Sequence, residues 1–399
     1  MTENVFEIPS IADWLNQFEL PDRYIAEHML RKIRYVSHVQ FENWIQSSLN
    51  ELTSEIEALD QRQRSPTAIF AVTKPFETED EWGNALPSPP DSSGRIKHSL
   101  ENYVRSLGKP FHLEHMPSDE CMKSRKVNHI IFVDDIIGTG TRFIKFWRSH
   151  VSKKVKFWCS RGWCKVWILA YAAHPEGIRN IERHIKALES QDVRTSLLID
   201  RHASFRNNQL MSFLIGKYGS SETWRSNRGY GDTMSPIVFQ HGCPNNAPGI
   251  LWKSNRDWNS LFNNRSVSQD LYPLFNNDLR SGAPPEDLWQ IGEYRLAIEF
   301  LKRPFSFAGY ERLMTTLSLI NRGRTERTIR EIIVATEVEF QDIITDLQRY
   351  GLVDAAHNIS RFGRDILQRA RHTGNYRRAT EYEYKEHFPL SFLGFQREV

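Results

Sequence analysis

The sequence predicts an α/β protein built on a parallel sheet, with a helical extension before the sheet and a small, mainly helical module after it. Three observations carry this. An apolar run, Ile130-Ile131-Phe132-Val133, ends in two adjacent acids and a glycine-rich turn. Strand-like and helix-like patterns alternate from about residue 68 to 199, the order that builds a parallel sheet with right-handed crossovers. From about residue 306 the pattern changes to successive short amphipathic helices.

Residues 1–60 are expected to be a helical extension. Ile11, Trp14, Leu15 and Phe18 make one apolar face, Pro21 interrupts it, and Ile25, Met29, Leu30 and Ile33 make a second. Trp44, Ile45, Leu49, Leu52 and Ile56 continue the periodicity. The sheet domain is expected over 61–260. Its first strand is Ala68 to Val72, ending in Thr73-Lys74-Pro75. Glu77 to Gly94 follows as a long patternless polar loop, of the kind that is either mobile or functional, and Arg95 and Lys97 stand where the next helix begins.

The central stretch is VNHIIFVDDIIGTGTRFIKFW, Val127 to Trp147. The β-branched run reads as a buried parallel strand, and Phe143, Phe146 and Trp147 fall on one helix face. Between them, Gly138 and Gly140 let backbone amides approach a phosphate, the helix N-terminus favours negative charge, and Thr139 and Thr141 add hydroxyl donors. Asp134 and Asp135 cannot hold phosphate. They suit ribose hydroxyls or a bound Mg2+, and as strand-end carboxylates they are expected to be solvated. Strands at Lys165–Ala172 and Thr195–Asp200 flank a helix at Glu176–Leu188. A further strand, Ile237-Val238-Phe239, leads to Pro244-Asn245-Asn246, whose amides could read a base edge, with Trp252 near enough to stack on it.

The Val127–Trp147 stretch resembles the phosphoribosyl pyrophosphate motif of type I phosphoribosyltransferases: apolar strand, two acids, three residues, then a small residue, Gly and Thr. The resemblance implies that Asp134 and Asp135 take the ribose hydroxyls and Gly138 to Thr141 the 5'-phosphate. It implies that the loop after the first strand, with Thr73 and Lys74, meets pyrophosphate, and that the long polar loop is a hood that closes over the reaction centre and brings Arg95 to phosphate. Mg2+ would accompany the ligand. The purine-salvage branch carries a further Asp three positions after the acid pair. Here that position is Gly138, which argues against hypoxanthine or guanine salvage.

Residues 261–305 read as a connector. Over 306–375, helices around Leu313–Ile320, Thr328–Ala335 and Phe340–Tyr350, a C-capping Gly351, a short hairpin and a last helix with Ile366 and Leu367 resemble a winged helix-turn-helix. Its third helix is poor for duplex DNA: Glu337, Glu339, Asp342 and Asp346 stand around it against Arg349 alone. Positive charge lies instead at Arg322, Arg324, Arg327 and Arg330 and at Arg361 and Arg364, which are expected to meet a nucleic acid or a protein partner. Residues 376–399 form a polar, aromatic tail.

The order of the two domains resembles the ribosyltransferase/DNA-binding effectors of bacterial retron anti-phage systems. That resemblance implies a toxic effector held inactive by a reverse transcriptase and its RNA–DNA hybrid, acting on a nucleotide or phosphoribosyl compound, and it leaves a homo-oligomer open. Two other readings are a ligand-sensing transcription regulator of purine-repressor type, although that repressor carries its winged helix at the opposite end, and a scaffold without turnover.

At 399 residues the chain is long enough for two ordinary cores. Its net charge of +3 makes any nucleic-acid surface a local one. Cys121, Cys159, Cys164 and Cys243 lack metal-ligand spacing and read as reduced thiols. With no signal-peptide pattern at MTENVFEIPS and no apolar run of membrane-spanning length, the expected location is the cytoplasm, away from membranes.

Overall fold

A computed structural model describes residues 5–61, 65–73, 92–107, 113–200, 204–219, 227–275, 288, 291–293, 296 and 310–371. Lys74, most of the expected hood, much of the connector and the tail lie outside the described residues. In chain order the elements are α1 (Pro9–Leu15), α2 (Leu20–Lys32), β1 (Arg34–Val36), α3 (His38–Asp60), β2 (Thr67–Ala71), α4 (Ser92–Ser106), β3 (Leu113–His115), α5 (Asp119–Ser124), β4 (His129–Ile137), α6 (Thr141–Ser149), α7 (Lys153–Ser160), β5 (Lys165–Ala173), α8 (Pro175–His184), β6 (Val193–Leu198), α9 (Gln209–Tyr218), β7 (Ile237–Phe239) and α10 (Gly249–Trp252). Four more helices follow: α11 (Tyr310–Asn321), α12 (Glu326–Ile333), α13 (Glu337–Arg349) and α14 (Arg361–Arg371).

The chain divides into two compact units. One is made of residues 1–34, 201–218 and 268–399, the other of residues 35–200 and 219–267. The expected helical extension is therefore shared: α1 and α2 belong to the first unit, and α3 to the second. Pro21 explains the break between α1 and α2, because it sits in the first turn of α2, where a missing N–H costs nothing. A capping box between Ser37 and Gln40 fixes where α3 begins.

The second unit holds a five-stranded sheet in the order β3-β2-β4-β5-β6, with every pairing parallel. All nine residues of β4 are buried, as a central strand covered on both faces requires. On one face Ile130 and Phe132 pack against Phe143, Phe146 and Trp147 of α6 and Ile181 of α8. Helices α3 and α4 contact β5 and β2. Strands β2 and β4 are neighbours although β3 separates them in sequence, so the strand order reverses between them. In open α/β sheets, ligands bind at such a switch point, outside the carboxyl ends of the strands. Strand β7 does not extend this sheet; it pairs with β1 in a two-stranded sheet, and Gln240 N–H donates to Val36 O at 2.8 Å.

In the first unit, α11 to α14 enclose an apolar core with Leu317, Phe340, Ile344, Leu347 and Ile366. Val353 and Ile359 form an antiparallel bridge between α13 and α14. The expected helices at 313–320, 328–335 and 340–350 all form, each shifted by a few residues. Among the described residues no helix is long and apolar enough to cross a membrane.

Candidate functional site

Strand β4 runs through both acids to Ile137, so Asp134 and Asp135 lie inside the strand and not beyond its end. They are 2% and 5% exposed. This corrects the expectation of solvated carboxylates: the apolar Ile136-Ile137 pair prolongs the buried strand past them. Burial raises the Asp134 carboxyl well above its ordinary range, and the nearby Arg142 guanidinium only partly offsets it. The first acid accepts the Asp135 N–H at 3.0 Å, and the second accepts the Ile136 N–H at 2.8 Å.

Arg142 is the residue that sequence reasoning missed. It sits in the first turn of α6, directly after the Gly-Thr-Gly-Thr turn, with its Nη1 3.6 Å from Asp134 Oδ1 and 3.8 Å from Asp135 Oδ1. Its Nη2 donates to Val72 O at 3.0 Å. One guanidinium thus ties the acid pair to the end of β2, across the switch point. A cation two residues after the second glycine was the available signal.

His241 was missed as well. The β1–β7 ribbon carries it to Asp135, with Nε2 3.4 Å from Oδ2. Its ring stacks on Phe239 at 4.9 Å and meets the edge of Phe41 at 5.3 Å. Its Nδ1 is buried and finds no hydrogen-bond partner among the described residues. Nothing in the local sequence His241-Gly242-Cys243-Pro244 sets this histidine apart from an ordinary turn.

The turn itself is shaped by close approaches. Gly140 has φ +77°, and a Cβ there would stand 2.5 Å from Gly177 O. At Gly138 a Cβ would run into the Asn246 side chain, and at Gly231 into Thr139. Thr139 Oγ1 donates to Thr141 Oγ1 at 3.0 Å, and Asn180 Nδ2 holds Thr139 O at 2.8 Å. The turn that leads to the first-turn amides of α6 is therefore held on three sides. A helix N-terminus leaves such amides without intrahelical acceptors.

The acid pair, the Gly138–Thr141 turn, Arg142 and His241 line one cleft of about 480 Å³, together with Lys145, Tyr230, Asn245, Asn246 and Arg265. Asp134, Asp135 and Gly138 to Thr141 all share it, as their adjacency in sequence suggested. Asn264 and Arg265 on its wall have φ of +50° and +66°, the kind of backbone strain that collects at ligand sites.

The other expected residues stand differently. Asn245 is exposed in the cleft. Asn246 is buried, and its amide donates to Thr233 Oγ1 at 3.2 Å, so it braces the turn. Trp252 is not in the cleft lining and gives its indole N–H to Ala247 O at 3.0 Å. Arg95, in α4, pairs with Glu42 at 3.2 Å and is also outside the lining, as is Thr73.

The acid pair is already engaged by Arg142 and by backbone amides, whereas Mg2+ requires near-octahedral oxygen ligation. Among the described residues no group of three or more His, Cys, Asp or Glu is placed to hold a metal.

One protein-family model, PRTase-CE, matches the chain over residues 11–264. That span takes in the whole parallel sheet and every residue of the cleft except Arg265 and Ser266. No curated protein and no solved structure matches it.

Proposed function

The chain belongs to the PRTase-CE family, and from that premise we propose that its phosphoribosyltransferase-like domain binds a phosphoribosyl compound or nucleotide and acts at the anomeric carbon. One observation carries the reading. An acid pair and a glycine-threonine turn share the rim of one cleft, at the point where the strand order reverses. In this reading the 5'-phosphate lies on the amides and hydroxyls of Gly138 to Thr141, while Asp135, oriented by His241, accepts from a ribose hydroxyl. Breaking the bond from the anomeric carbon to a base or to pyrophosphate, with the electron pair leaving on that group, leaves a cation-like sugar. The chain then has to fix the phosphate, hold the leaving group and keep out stray water. Lys74 is the proposed cation for the leaving group.

Residues 306–375 are proposed to be a winged helix that docks a partner and does not read duplex DNA. The support is the start of α13, the end that such a module lays in the major groove. Glu339 there is held by Arg34 at 2.5 Å, and Arg34 also donates to Val334 O at 3.4 Å. Arg330 is paired with Glu326 and Glu337, and Arg322 with the buried Glu293 at 2.7 Å. Exposed arginines remain at Arg324, Arg349, Arg361 and Arg364, while Arg327 is exposed but pairs with Glu331 at 3.0 Å. This favours the retron-type defence effector, restrained by a reverse transcriptase and its RNA–DNA hybrid, over the repressor reading.

The test is calorimetric titration of ribose 5-phosphate and 5-phosphoribosyl pyrophosphate, followed by metabolite profiling of cells after induced expression. Micromolar to millimolar binding that falls at least tenfold in Asp135→Asn, with depletion of one nucleotide pool, is the expected result. Wild-type heat traces at the level of buffer would remove the reading.

A further inference from the structure

A phosphorylated sugar brings several negative charges to a cleft that already contains two carboxylates. Phosphoryl ligands commonly meet that problem with a divalent cation bridging their oxygens. The cleft described here carries a different answer. Arg142 stands 3.6 and 3.8 Å from the two acids, and its third contact is Val72 O, the backbone of the strand end that leads to Thr73 and Lys74. Its side chain is 28% exposed on the cleft side of α6, so it is seated among the acids and still reachable from solvent. Lys145, one turn further along α6, adds a second cation at the rim and is exposed.

We propose that Arg142 takes the place of a divalent cation, and that this site binds its phosphoribosyl ligand without metal. The inference rests on the sugar-phosphate reading of the cleft and specifies its electrostatics. A guanidinium is always charged, presents a planar fork of donors and matches phosphate or pyrophosphate oxygens in pairs. Placed between the acids and the end of β2, it can keep Nη1 on the carboxylates and turn Nη2 from Val72 O to the leaving-group phosphates when they arrive. Each acid spends lone pairs on a backbone amide, at 3.0 and 2.8 Å. The burial that favours the neutral Asp134 carboxyl further lowers the negative charge available to a hydrated Mg2+. Arg142 would thus be a binding residue for the ligand's phosphates, and its ion pairs would orient it before the ligand arrives.

The experiment is titration of the full chain with 5-phosphoribosyl pyrophosphate in excess EDTA and again in millimolar Mg2+, for wild type, Arg142→Gln and Arg142→Lys. Wild type is expected to bind with Kd values within about threefold of each other in the two conditions. Arg142→Gln should lose at least tenfold in EDTA and recover part of that loss in Mg2+, while Arg142→Lys, which keeps the charge but not the fork, should fall between. Melting curves without ligand check that each variant is folded, and the wild-type comparison stands even where a variant is not. Wild-type binding that appears only with Mg2+ overturns this inference and leaves the sugar-phosphate reading intact. Absence of wild-type binding in both conditions overturns both.

Discussion

Gly140 combines a left-handed backbone with a carbonyl oxygen, Gly177 O, 2.5 Å from where a Cβ would stand. From sequence, a side chain there would be expected to cost ligand binding and little stability. The structure changes that expectation, because the turn is packed on α8 and does not merely border solvent. Gly140→Ala should cost about 2–4 kcal/mol, combining left-handed strain with overpacking, and urea unfolding without ligand measures it. A loss below 0.5 kcal/mol, on the order of surface scatter, would show that the turn yields easily. Asp135→Asn is the contrasting change, keeping the shape while weakening the approach of His241. It should lower ligand affinity more than stability, which separates binding from folding at one residue. His28 reports on the other unit. Burial, with Lys32 and Arg31 nearby, lowers its pKa from 6.5 to about 2. The unfolded chain takes up a proton below 6.5 and the folded chain does not, so stability present above 6.5 is lost progressively as pH falls toward 2. His28→Leu should flatten the fall in stability between pH 7 and pH 5, with a difference of about 2 kcal/mol across that window. Parallel curves for the two proteins would rule out His28 as a source of acid sensitivity.

Among the elements, what was legible in the sequence is what repeats with a period. β4 reads from its unbroken apolar run, α6 from Phe143, Phe146 and Trp147, and α11 to α13 from apolar spacing closed by Gly351. The lining of the candidate cleft was legible wherever its members are adjacent, from Asp134 to Thr141. His241 was not, because 106 residues separate it from Asp135 and only the β1–β7 pairing brings them together. Trp252 was misjudged for the complementary reason: nearness in sequence to Asn246 did not put it on the cleft, since α10 turns its indole to Ala247 O. For α13 two of the four carboxylates counted in the sequence have partners in the fold, Glu339 on Arg34 and Glu337 on Arg330. The helix is thus both acidic and occupied at its N-terminal turn. The full chain should bind random duplex DNA weakly, and Gln341→Ala, which removes an exposed neutral amide of α13 that could read a base edge, should change that binding by less than twofold. Arg361→Glu with Arg364→Glu should release the partner on co-purification. A gel shift showing tight duplex binding that depends on Gln341 would restore the repressor reading.

At the scale of the molecule, the first unit is assembled from three distant stretches, 1–34, 201–218 and 268–399. Its integrity therefore depends on contacts that close very long loops, and the sequence offers no periodic signal for such contacts. The Arg34–Glu339 pair spans 305 positions. Arg34 follows α2, and Glu339 is the capping-box residue of α13, also bonded to the Thr336 N–H at 2.9 Å. Burial opposes charge on Glu339, but Arg34 and Arg312 outweigh it and hold the carboxyl below its ordinary range. A lowered folded pKa stabilises above the unfolded value of 4.5, and that contribution is lost as pH falls through the folded value. The Arg34 side chain is 12% exposed and that of Glu339 31%, so the pair is screened less than a surface one. A double-mutant cycle of Arg34→Ala and Glu339→Ala at pH 7 should give a coupling of about 1 kcal/mol or more. The coupling should shrink as pH falls through the folded value, because protonation of Glu339 removes the charge that Arg34 meets. If the contact links α2 to α13, removing residues 1–33 should destabilise α11 to α14 by hydrogen exchange, well beyond the effect of Arg34→Ala alone. Additive single mutants at pH 7, with unchanged exchange in α13 after the truncation, would mean that the C-terminal helices hold themselves together without the N-terminal ones.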